Sequence, residues 1–236
     1  MDAPVRPVGN KILACLPAEE WHILRSEFEW VPLPLKLELQ DIDRPLSHVW
    51  FPRSGVISMV TDLDNGATVE VATVGREGVI GLSIVLEADE MAQRIFVQVE
   101  GEADRLPKER YHALIDSLPT LRRLMLRSAA ALVTQIAQGS ACNRLHPIEA
   151  RCARWLLQTR DRVDSDRFHL THEFLAQMLG VTRPSVTIAA GILQKAAIIE
   201  YGGGEVNILD RARLEEMSCE CYRIVTAETE RMISAA

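Results

Sequence analysis

The stretch from Leu170 to Ile199, LTHEFLAQMLGVTRPSVTIAAGILQKAAII, constrains the fold of this chain more than any other. It predicts two short helices joined by a tight turn. Thr171 can cap the first helix through its hydroxyl, and Gly180 falls where a chain leaving a helix needs a positive φ. Thr182 can cap the second helix, whose first turn tolerates Pro184 because an N–H there has no partner within the helix. This spacing is typical of a helix-turn-helix.

The two faces of this helix pair differ in composition. The inward face carries Leu175, Leu179, Val181, Val186 and Ala189. The second helix, Thr182–Ala197, is the one that enters the DNA major groove in such a motif. The candidate DNA-binding residues on its outward face are Thr182, Arg183, Ser185, Thr187 and Ile188. An ordinary helical hairpin in a protein core is the alternative interpretation.

The residues after the motif favour DNA binding over that alternative. Glu200–Leu209 predicts two short strands around a glycine turn at Gly202–Gly204. A helix-turn-helix followed directly by a hairpin is a winged helix. A phosphate-binding loop would need Lys-Ser/Thr and the start of a helix after the glycines, and neither follows here.

Composition and charge define the setting of this motif. The 236 residues are 47% hydrophobic and 25% charged, as in a soluble globular protein. The sequence contains no apolar run long enough to span a membrane. Its first residues, MDAPVRPVGNK, lack the apolar region of a signal peptide. Five scattered cysteines favour a reducing compartment. We therefore expect a cytoplasmic protein without a membrane partner.

The net charge of −7 argues weakly against DNA binding, because phosphate contacts need lysine and arginine. The local balance is different. Between Arg144 and Arg213 there are ten lysines and arginines against eight acids. Thr182–Ala197 contains Arg183 and Lys195 and no acid. The negative surplus therefore lies outside the helix that would bind DNA.

The N-terminal half predicts short helices followed by a small β structure. Apolar positions between Leu13 and Phe28 indicate one or two helices. Strands are then predicted over Val31–Leu39, Val49–Phe51, Val56–Asp62, Ala67–Val74 and Arg94–Val99. The prolines of the first strand place it at a sheet edge. Several short strands at this spacing indicate a small barrel or jelly roll.

Glycines mark the predicted turns of this β structure. Asp64-Asn65-Gly66 predicts a hairpin turn between two strands. Gly75–Gly81 predicts a loop, and Gly101 predicts the start of a further turn.

From Pro119 to about Asn143 the sequence pattern changes, and apolar residues recur at helical spacing. About 25 residues give roughly 37 Å of helix, longer than packing on a small barrel requires, which favours a dimer seam. The residues expected in the seam are Leu121, Leu124, Met125, Leu132 and Ile136. His146-Pro147 ends the helix, and Arg211–Ile233 predicts one closing helix.

Barrel, long helix and winged helix in this order resemble the superfamily of bacterial regulators named for the catabolite activator and the fumarate–nitrate regulator. The resemblance is strongest in Leu170–Ile199 and good in SGVISMVTDLDNGATVEVATVGREGVIG. It implies an α+β fold with a cyclic-nucleotide-binding-like β jelly roll over residues 1–117, a dimerisation helix over 118–145 and a winged helix-turn-helix over 146–236. It also implies a homodimer on a palindromic site in double-stranded DNA, with RNA polymerase as a further partner.

The base-reading positions implied by the resemblance are Arg183, Pro184 and Ile188. Arg183 retains an arginine that could bind guanine through two hydrogen bonds. Pro184 replaces an acid and Ile188 replaces a second arginine, so the best-known operator of the superfamily is not expected. Thr182 and Ser185 are better suited to phosphate.

The effector-binding positions depart further from the superfamily. They correspond to Gly78, Gly81, Ser83, Gln93 and Arg94. The loop lacks the acid that would bind a ribose hydroxyl. Arg94 is displaced by about one residue along a strand, which points it to the opposite face. We therefore expect no cofactor, and we disfavour cyclic nucleotide.

The alternative function is a binding module for cyclic nucleotide or another small effector, with DNA binding as its output. The hydroxyl pair that would contact a purine corresponds to Ile136-Ala137, which carries no hydroxyl. This absence argues further against cyclic nucleotide.

No metal site is expected from the spacing of the cysteines and histidines. An iron–sulfur cluster usually needs four thiolates, and Cys15 is alone near the N-terminus. Cys219 and Cys221 are two apart on a predicted helix and would not face each other. Cys142 and His146 could share a helix face, yet nothing nearby completes a tetrahedral set. Haem ligation is disfavoured for the isolated histidines His22, His48 and His112.

No catalytic site is expected either. Glu149, Glu173 and Asp210 stand alone, and no nucleophile motif is present. His169 and His172 flank the start of the helix-turn-helix and are predicted as exposed turn residues that could contact phosphate.

Overall fold

A computed structural model of the chain describes residues 9–41, 46–88 and 92–234. The elements of the N-terminal part are α1 (Lys11–Ala14), α2 (Ala18–Leu24), β1 (Glu29–Leu33), β2 (Glu38–Gln40), β3 (His48–Asp62), β4 (Thr68–Val74), α3 (Leu82–Val85), β5 (Arg94–Pro107), α4 (Lys108–Leu114), a short 3-10 helix (Ile115–Ser117) and α5 (Pro119–Leu145). The remaining elements are α6 (Ile148–Val163), β6 (Arg167–His169), α7 (His172–Leu179), α8 (Arg183–Lys195), β7 (Ile199–Gly202), β8 (Glu205–Ile208), α9 (Arg211–Met217) and α10 (Cys221–Ser234).

The chain divides into two compact units. The first contains the residues up to Met59, Thr73–Thr134 and the residues from Ala227 onward. The second contains Val60–Ala72 and Gln135–Thr226. Among the described residues, no helix combines the length and apolar character needed to cross a membrane.

The N-terminal part of the chain is built on a five-stranded sheet, most of which belongs to the first unit. Its strands run in the order β1-β5-β3-β4, and β2 pairs with β5 as well. Both β1 and β2 are antiparallel to β5. The proline-containing β1 lies at an edge, as its sequence predicts, and the two strands predicted between Val49 and Asp62 form the single strand β3. Buried Phe51, Ile57 and Val97 contribute to the core of the sheet. The predicted α+β fold is confirmed.

Two of the predicted glycine turns are confirmed. In the hairpin between β3 and β4, Gly66 has a φ of 80° and donates its N–H to the carbonyl of Leu63 at 2.8 Å. The side chain of Asn65 accepts a hydrogen bond from the N–H of Ala67 at 3.0 Å. Gly75–Gly81 forms the predicted loop before α3.

The turn predicted at Gly101 is wrong, because this residue lies inside β5 and pairs with Leu33. A Cβ atom at Gly101 would lie 2.3 Å from the carbonyl oxygen of Ser54. Glycine is required here by the close approach of two backbones rather than by a change of chain direction. In the sequence, a glycine required by close backbone approach looks the same as a glycine required by a turn.

The long helix α5 spans Pro119–Leu145 and ends at His146-Pro147, as predicted. The carboxylate of Glu20 caps its first turn by accepting hydrogen bonds from the N–H groups of Thr120 at 2.8 Å and Leu121 at 2.9 Å. These donors have no partner within the helix, so a carboxylate from elsewhere in the same unit stabilises its N-terminus.

The side chains expected in a dimer seam do not all reach the surface of α5. Leu121, Leu124 and Met125 are each 0% exposed within the chain itself. The prediction for these three is corrected: their apolar face packs in the core of the protomer and offers no surface to a partner. Leu132 and Ile136 are half-buried.

The second unit contains a helical core and a small sheet. Helix α8 packs against α6 and α7, and α6 also packs against α9. The sheet has the order β6-β8-β7 with antiparallel pairing. Strands β7 and β8 confirm the predicted hairpin, whereas β6 was not predicted and adds a third strand beside β8.

The single closing helix predicted over Arg211–Ile233 is wrong. Helix α9 ends at Met217, and Ser218 is extended with φ −77° and ψ 159°. Cys219 and Glu220 lie in the break before α10. The predicted relation between Cys219 and Cys221 is therefore also wrong, because they do not share one continuous helix.

Candidate nucleic-acid interface

The turn between α7 and α8 is built as its sequence predicts. The Thr171 hydroxyl accepts a hydrogen bond from the N–H of Phe174 at 3.1 Å and caps α7. Gly180 ends that helix in the left-handed region with φ 63° and ψ 40°. Thr182 takes the N-cap position of α8, but its hydroxyl bonds the Ser185 hydroxyl at 2.9 Å instead of a backbone N–H. The backbone prediction is confirmed, and the side-chain bond differs.

The predicted inward face of the helix pair is buried. Leu175, Leu179, Val186 and Ala189 are at most 3% exposed. Val181 is half-buried because it lies in the turn itself. Burying these apolar side chains fixes α8 against α6 and α7 and leaves its opposite face outward.

The outward face of α8 presents most of the predicted DNA-binding side chains together. Thr182, Arg183 and Thr187 are exposed, Ser185 is half-buried, and Ile188 is 64% exposed. Ile192, one turn beyond Ile188, is 40% exposed and extends the apolar part of this face. Ile192 was missed by the sequence analysis, although its spacing of four from Ile188 was a usable signal.

Arg183 is placed to interact with a ligand from outside the chain. It lies in the first turn of α8, and its guanidinium makes no ion pair with any described residue. Lys195 lies in the last turn of the same helix. The two cations of α8 are thus separated by almost its whole length.

Thr187 is held by His172, a residue predicted to be an exposed turn residue. His172 begins α7 and is half-buried, which corrects that prediction. Its Nδ1 atom lies 3.0 Å from the Thr187 hydroxyl, which itself donates to the carbonyl of Arg183 at 3.1 Å. The imidazole also packs on the ring of Tyr201, with centroids 4.2 Å apart.

The electrostatic environment of His172 favours its neutral form. Burial, followed by the positive charge of Arg183, lowers the pKa of this imidazole below its ordinary value. Because the Thr187 hydroxyl proton is used by the carbonyl of Arg183, Nδ1 of a neutral His172 donates to Thr187. Tyr201 is fixed in turn by donating its hydroxyl to the carbonyl of Leu170, and burial raises its pKa to about 12.

The hairpin beside this motif is glycine-rich but not strongly basic. Gly203 and Gly204 have φ values of 63° and 81°, so the turn of β7 and β8 uses the left-handed region. Arg167 in β6 pairs with Glu205 in β8, with its Nε atom 2.9 Å from the carboxylate. His169 is exposed on β6. The arginine on this small sheet is thus paired with an acid, whereas α8 carries Arg183 and Lys195 and no acid.

The predicted effector residues do not all meet in one pocket. A cavity of about 20 Å³ lies in the first unit, and Gly81 and Ser83 line it together with Gln40, Ile95 and Leu132. Gly78, Gln93 and Arg94 are not among its lining residues. A cavity of this size admits a water molecule, whereas small-molecule sites usually measure about 300–1,000 Å³.

Arg94 lies on the face of β5 opposite the cavity, as the one-residue displacement predicts. Its neighbour Ile95 lines the cavity, and the Arg94 guanidinium lies over the ring of Phe96 at 5.4 Å. Arg94 also forms an ion pair with Glu38 at 3.8 Å. This arginine therefore does not point at the cavity that Gly81 and Ser83 line.

The glycines of this region have structural roles. A Cβ atom at Gly78 would lie 2.8 Å from a methyl group of Val74. Gly81 has a φ of 122°, and a Cβ atom there would lie 3.1 Å from the Cα atom of Val49. Both are accounted for by packing without a ligand.

Residues 150–217 match the Crp-like helix-turn-helix domain. The matched segment runs from α6 through α7, α8 and the hairpin to the end of α9. No curated protein sequence matches the chain.

Several solved structures have the same fold. FixK2 from Bradyrhizobium japonicum aligns with a TM-score of 0.69 at 15% identity, over 81% of this chain and 98% of that one. The c-di-GMP-responsive global regulator CLP from Xanthomonas campestris aligns with a TM-score of 0.65 at 14% identity, over 81% and 99%. TTHB099, a CRP-family transcriptional regulator from Thermus thermophilus, aligns with a TM-score of 0.65 at 19% identity, over 80% and 96%.

Proposed function

We propose that this chain is a homodimeric, sequence-specific DNA-binding regulator. Two findings support the proposal: the chain carries a Crp-like helix-turn-helix domain, and its fold is that of the CRP/FNR transcription regulators. The observation that carries this proposal is the exposed face of α8, with Arg183 in its first turn and a buried opposite face. We propose that it binds DNA in the cytoplasm. We also propose RNA polymerase as a partner.

The proposed docking places α8 in the major groove. Arg183 makes two hydrogen bonds to a guanine, the commonest specific contact of this kind. Ile188 meets a thymine methyl group, which suits its 64% exposure. Thr182 and Ser185 bind phosphate and position the helix without reading sequence. Thr187, whose hydroxyl is occupied by His172, contributes its methyl group.

The proposed dimer forms along α5 through a stripe other than the buried one. The stripe consists of Leu126, Ala130, Val133, Ala137 and Ser140, all of them exposed. Their spacing of four and three residues is that of a coiled-coil seam. Val133 is 66% exposed, an unusual position for a large apolar side chain on a helix without a partner. The small residues in the stripe would let two helices approach closely.

We further propose that cyclic AMP does not gate DNA binding. The cavity beside Gly81 and Ser83 is far too small for a nucleotide in this conformation. Arg94, the arginine that would hold a cyclic phosphate in the superfamily, interacts with Glu38 on the other face of β5. The alternative, gating by a nucleotide, requires both features to rearrange.

The decisive experiment measures sequence discrimination by α8. A preferred duplex is selected from random DNA with full-length protein, and anisotropy at fixed salt then gives affinities for that duplex and for a scrambled one. Arg183→Ala should reduce discrimination by about 1–3 kcal/mol. Lys195→Ala removes a cation from the far end of the same helix and should leave discrimination unchanged.

The same titrations test the remaining parts of the proposal. Equal loss in the two variants would show that Arg183 acts only as a charge, and failure to select any duplex would refute sequence-specific binding. Repeating the titration with cyclic AMP and with cyclic GMP should leave the affinity unchanged. Binding that requires either nucleotide would favour the effector-gated alternative, since coupling between two sites is reciprocal.

A further inference from the structure

Four side chains that the sequence separates by up to 79 positions converge in the second unit. They are Cys142 near the end of α5, His146 just after it, Cys219 in the break between α9 and α10, and Cys221 at the start of α10. Their sulfur and ring nitrogen atoms all lie within 4.8 Å of one another. The three cysteines are buried and the histidine is half-buried.

The spacing of these atoms fits a single tetrahedral ion. The sulfur atoms of Cys142 and Cys219 are 3.5 Å apart, and the Cys221 sulfur is 3.4 Å from Nδ1 of His146. A zinc ion bound at about 2.3 Å to sulfur and about 2.0 Å to nitrogen would separate two sulfurs by about 3.8 Å and a sulfur and a nitrogen by about 3.5 Å. The four groups therefore need to move only slightly to enclose such an ion.

The backbone explains how four such residues meet. Cys142 and His146 are one helical turn apart, and the N–H of His146 donates to the carbonyl of Cys142 at 3.1 Å. The extended backbone at Ser218 takes Cys219 out of the helix. The N–H of Tyr222 then donates to the carbonyl of Cys219 at 3.1 Å, which turns the chain so that Cys219 and Cys221 face the same point.

The surroundings of the four residues also suit a metal ion. Nε2 of His146 lies 3.3 Å from a carboxylate oxygen of Glu220. An Nε2–H that donates to Glu220 leaves the lone pair of Nδ1 directed at the cysteines, the arrangement found around histidines that bind zinc. Gln138 donates from Nε2 to the sulfur of Cys221 at 3.2 Å. A side-chain amide is thus already bonded to one of the sulfurs.

Positive charge near the cluster balances what a metal complex would carry. Three thiolates around a divalent ion leave a net charge of −1. Arg151 and Arg154 of α6 both interact electrostatically with Cys142. A buried anionic complex is stabilised by such neighbours, whereas a cluster of neutral thiols gains little from them.

We propose that Cys142, His146, Cys219 and Cys221 form a structural zinc site that joins the end of α5 to the break between α9 and α10. Four protein ligands close the site, so no position is open for catalysis. Soft sulfur ligands in tetrahedral geometry select zinc over magnesium or calcium. Zinc binds cysteine as thiolate and histidine as neutral imidazole, so binding displaces the protons that these groups still carry. The proposal does not depend on DNA binding.

The expectation of no metal from the sequence rested on two arguments that the fold removes. Cys219 and Cys221 were placed on one helix, and Cys142 and His146 were left without further ligands. A disulfide between Cys142 and Cys219 is the competing chemistry for these thiols. It would leave Cys221 and the His146–Glu220 pair without a role, whereas a zinc site uses all of them.

Metal analysis of the full-length protein tests the proposal directly. Protein expressed in zinc-supplemented medium and purified with a thiol reductant should contain one zinc ion per chain by elemental mass spectrometry. Cys219→Ser should contain less than a tenth of that amount. Cys15→Ser, which removes a cysteine outside the cluster, should retain the full amount. Wild-type protein without zinc, with iron in its place, or zinc retained by Cys219→Ser would overturn the proposal.

A cobalt titration keeps the test independent of whether Cys219→Ser folds. Metal-free wild-type protein should bind one Co²⁺ per chain and develop the visible absorption of a tetrahedral thiolate complex. Glu220→Gln should bind the ion about 10–100-fold more weakly because the histidine loses its orienting carboxylate. Glu220 is 56% exposed, so this change leaves the core intact.

Two further outcomes would contradict the site. Cobalt that binds without thiolate absorption would place the ion elsewhere. Protein that is purified without reductant, lacks zinc and is two hydrogen masses lighter would assign these cysteines to a disulfide instead.

Discussion

The Nδ1 atom of His172 lies 3.0 Å from the hydroxyl of Thr187 and connects the first residue of α7 to the outward face of α8. The imidazole lies between this hydroxyl and the ring of Tyr201 in β7, 4.2 Å away between centroids. This one side chain of α7 thus contacts both α8 and the hairpin that follows α8. Thr187 belongs to the face of α8 that we propose to bind DNA, so this contact reaches that face.

His172 should make the stability of the protein depend on pH. Its pKa in the folded chain is lowered by burial and then by Arg183, below the ordinary 6.5 that it regains on unfolding. The unfolded chain therefore binds more protons between these two values, and stability rises with pH there. The contribution of neutral His172 is complete above pH 6.5 and is lost as the pH falls through the lowered value.

The measurement is the free energy of unfolding of wild type and His172→Gln from about pH 5 to 8. The difference between the two proteins should shrink or reverse toward the acid end. A difference that is constant across the range would contradict the assignment. In an NMR titration of wild type and Arg183→Gln, the pKa of His172 should be higher in the variant, because a repelling charge has been removed.

Gly180→Ala should destabilise the second unit. Its φ of 63° lies in the left-handed region, where a side chain costs about 1–2 kcal/mol. The added methyl group would also lie 3.3 Å from a methyl group of Val69. Thermal unfolding monitored by circular dichroism should therefore show a lower midpoint.

Gly191→Ala is the matched control and should change stability in the opposite direction. Gly191 lies within α8, and a Cβ atom there would meet nothing within 4 Å. Replacing a mid-helix glycine by alanine stabilises a helix by about 0.5–1 kcal/mol. If both variants shifted the midpoint the same way, the turn geometry at Gly180 would not be what distinguishes them.

Val133→Glu should convert the proposed dimer to a monomer. The substitution places a charge in the middle of the exposed α5 stripe, where two copies of it would face each other. Leu209→Glu changes another exposed apolar residue, 54% exposed, that lies outside the stripe. Sedimentation equilibrium should give a monomer for the first variant and a dimer for wild type and the second. A wild-type monomer, or a dimer that survives Val133→Glu, would exclude this seam.

Local patterns in the sequence determine the helix-turn-helix and the hairpin turn at Asp64–Gly66. Thr171, Gly180 and Thr182 act on backbone only a few residues away, so their positions alone predict a cap, a left-handed residue and a second cap. The displacement of Arg94 is predictable for the same reason, because alternation along a strand is a local property. These features are present in the structure where the sequence places them, except that the Thr182 hydroxyl bonds the Ser185 hydroxyl and not a backbone N–H.

Sequence patterns that indicate burial led to less accurate predictions, because they do not indicate which part of the protein covers the buried residue. The apolar positions Leu121, Leu124 and Met125 show that one face of α5 is covered, and only the fold shows that the protomer covers it. Gly101 shows that something excludes a side chain, and only the sheet shows that the neighbouring backbone of β3 does so. In both cases the sequence correctly indicates that the position is covered, but it does not identify the residues that cover it.

The sequence by itself determined the order of the main parts of the chain, the two faces of α8 and the chemistry of its exposed side chains. Tertiary structure alone decided which distant residues meet. The contact of His172 with Thr187 spans 15 positions, and that of Cys142 with Cys219 spans 77. The physical reason is that helix and turn preferences act over a few residues, whereas convergence depends on how whole elements pack. The break at Ser218 is one example of an effect of packing. It brings Cys219 and Cys221 close to Cys142 and His146.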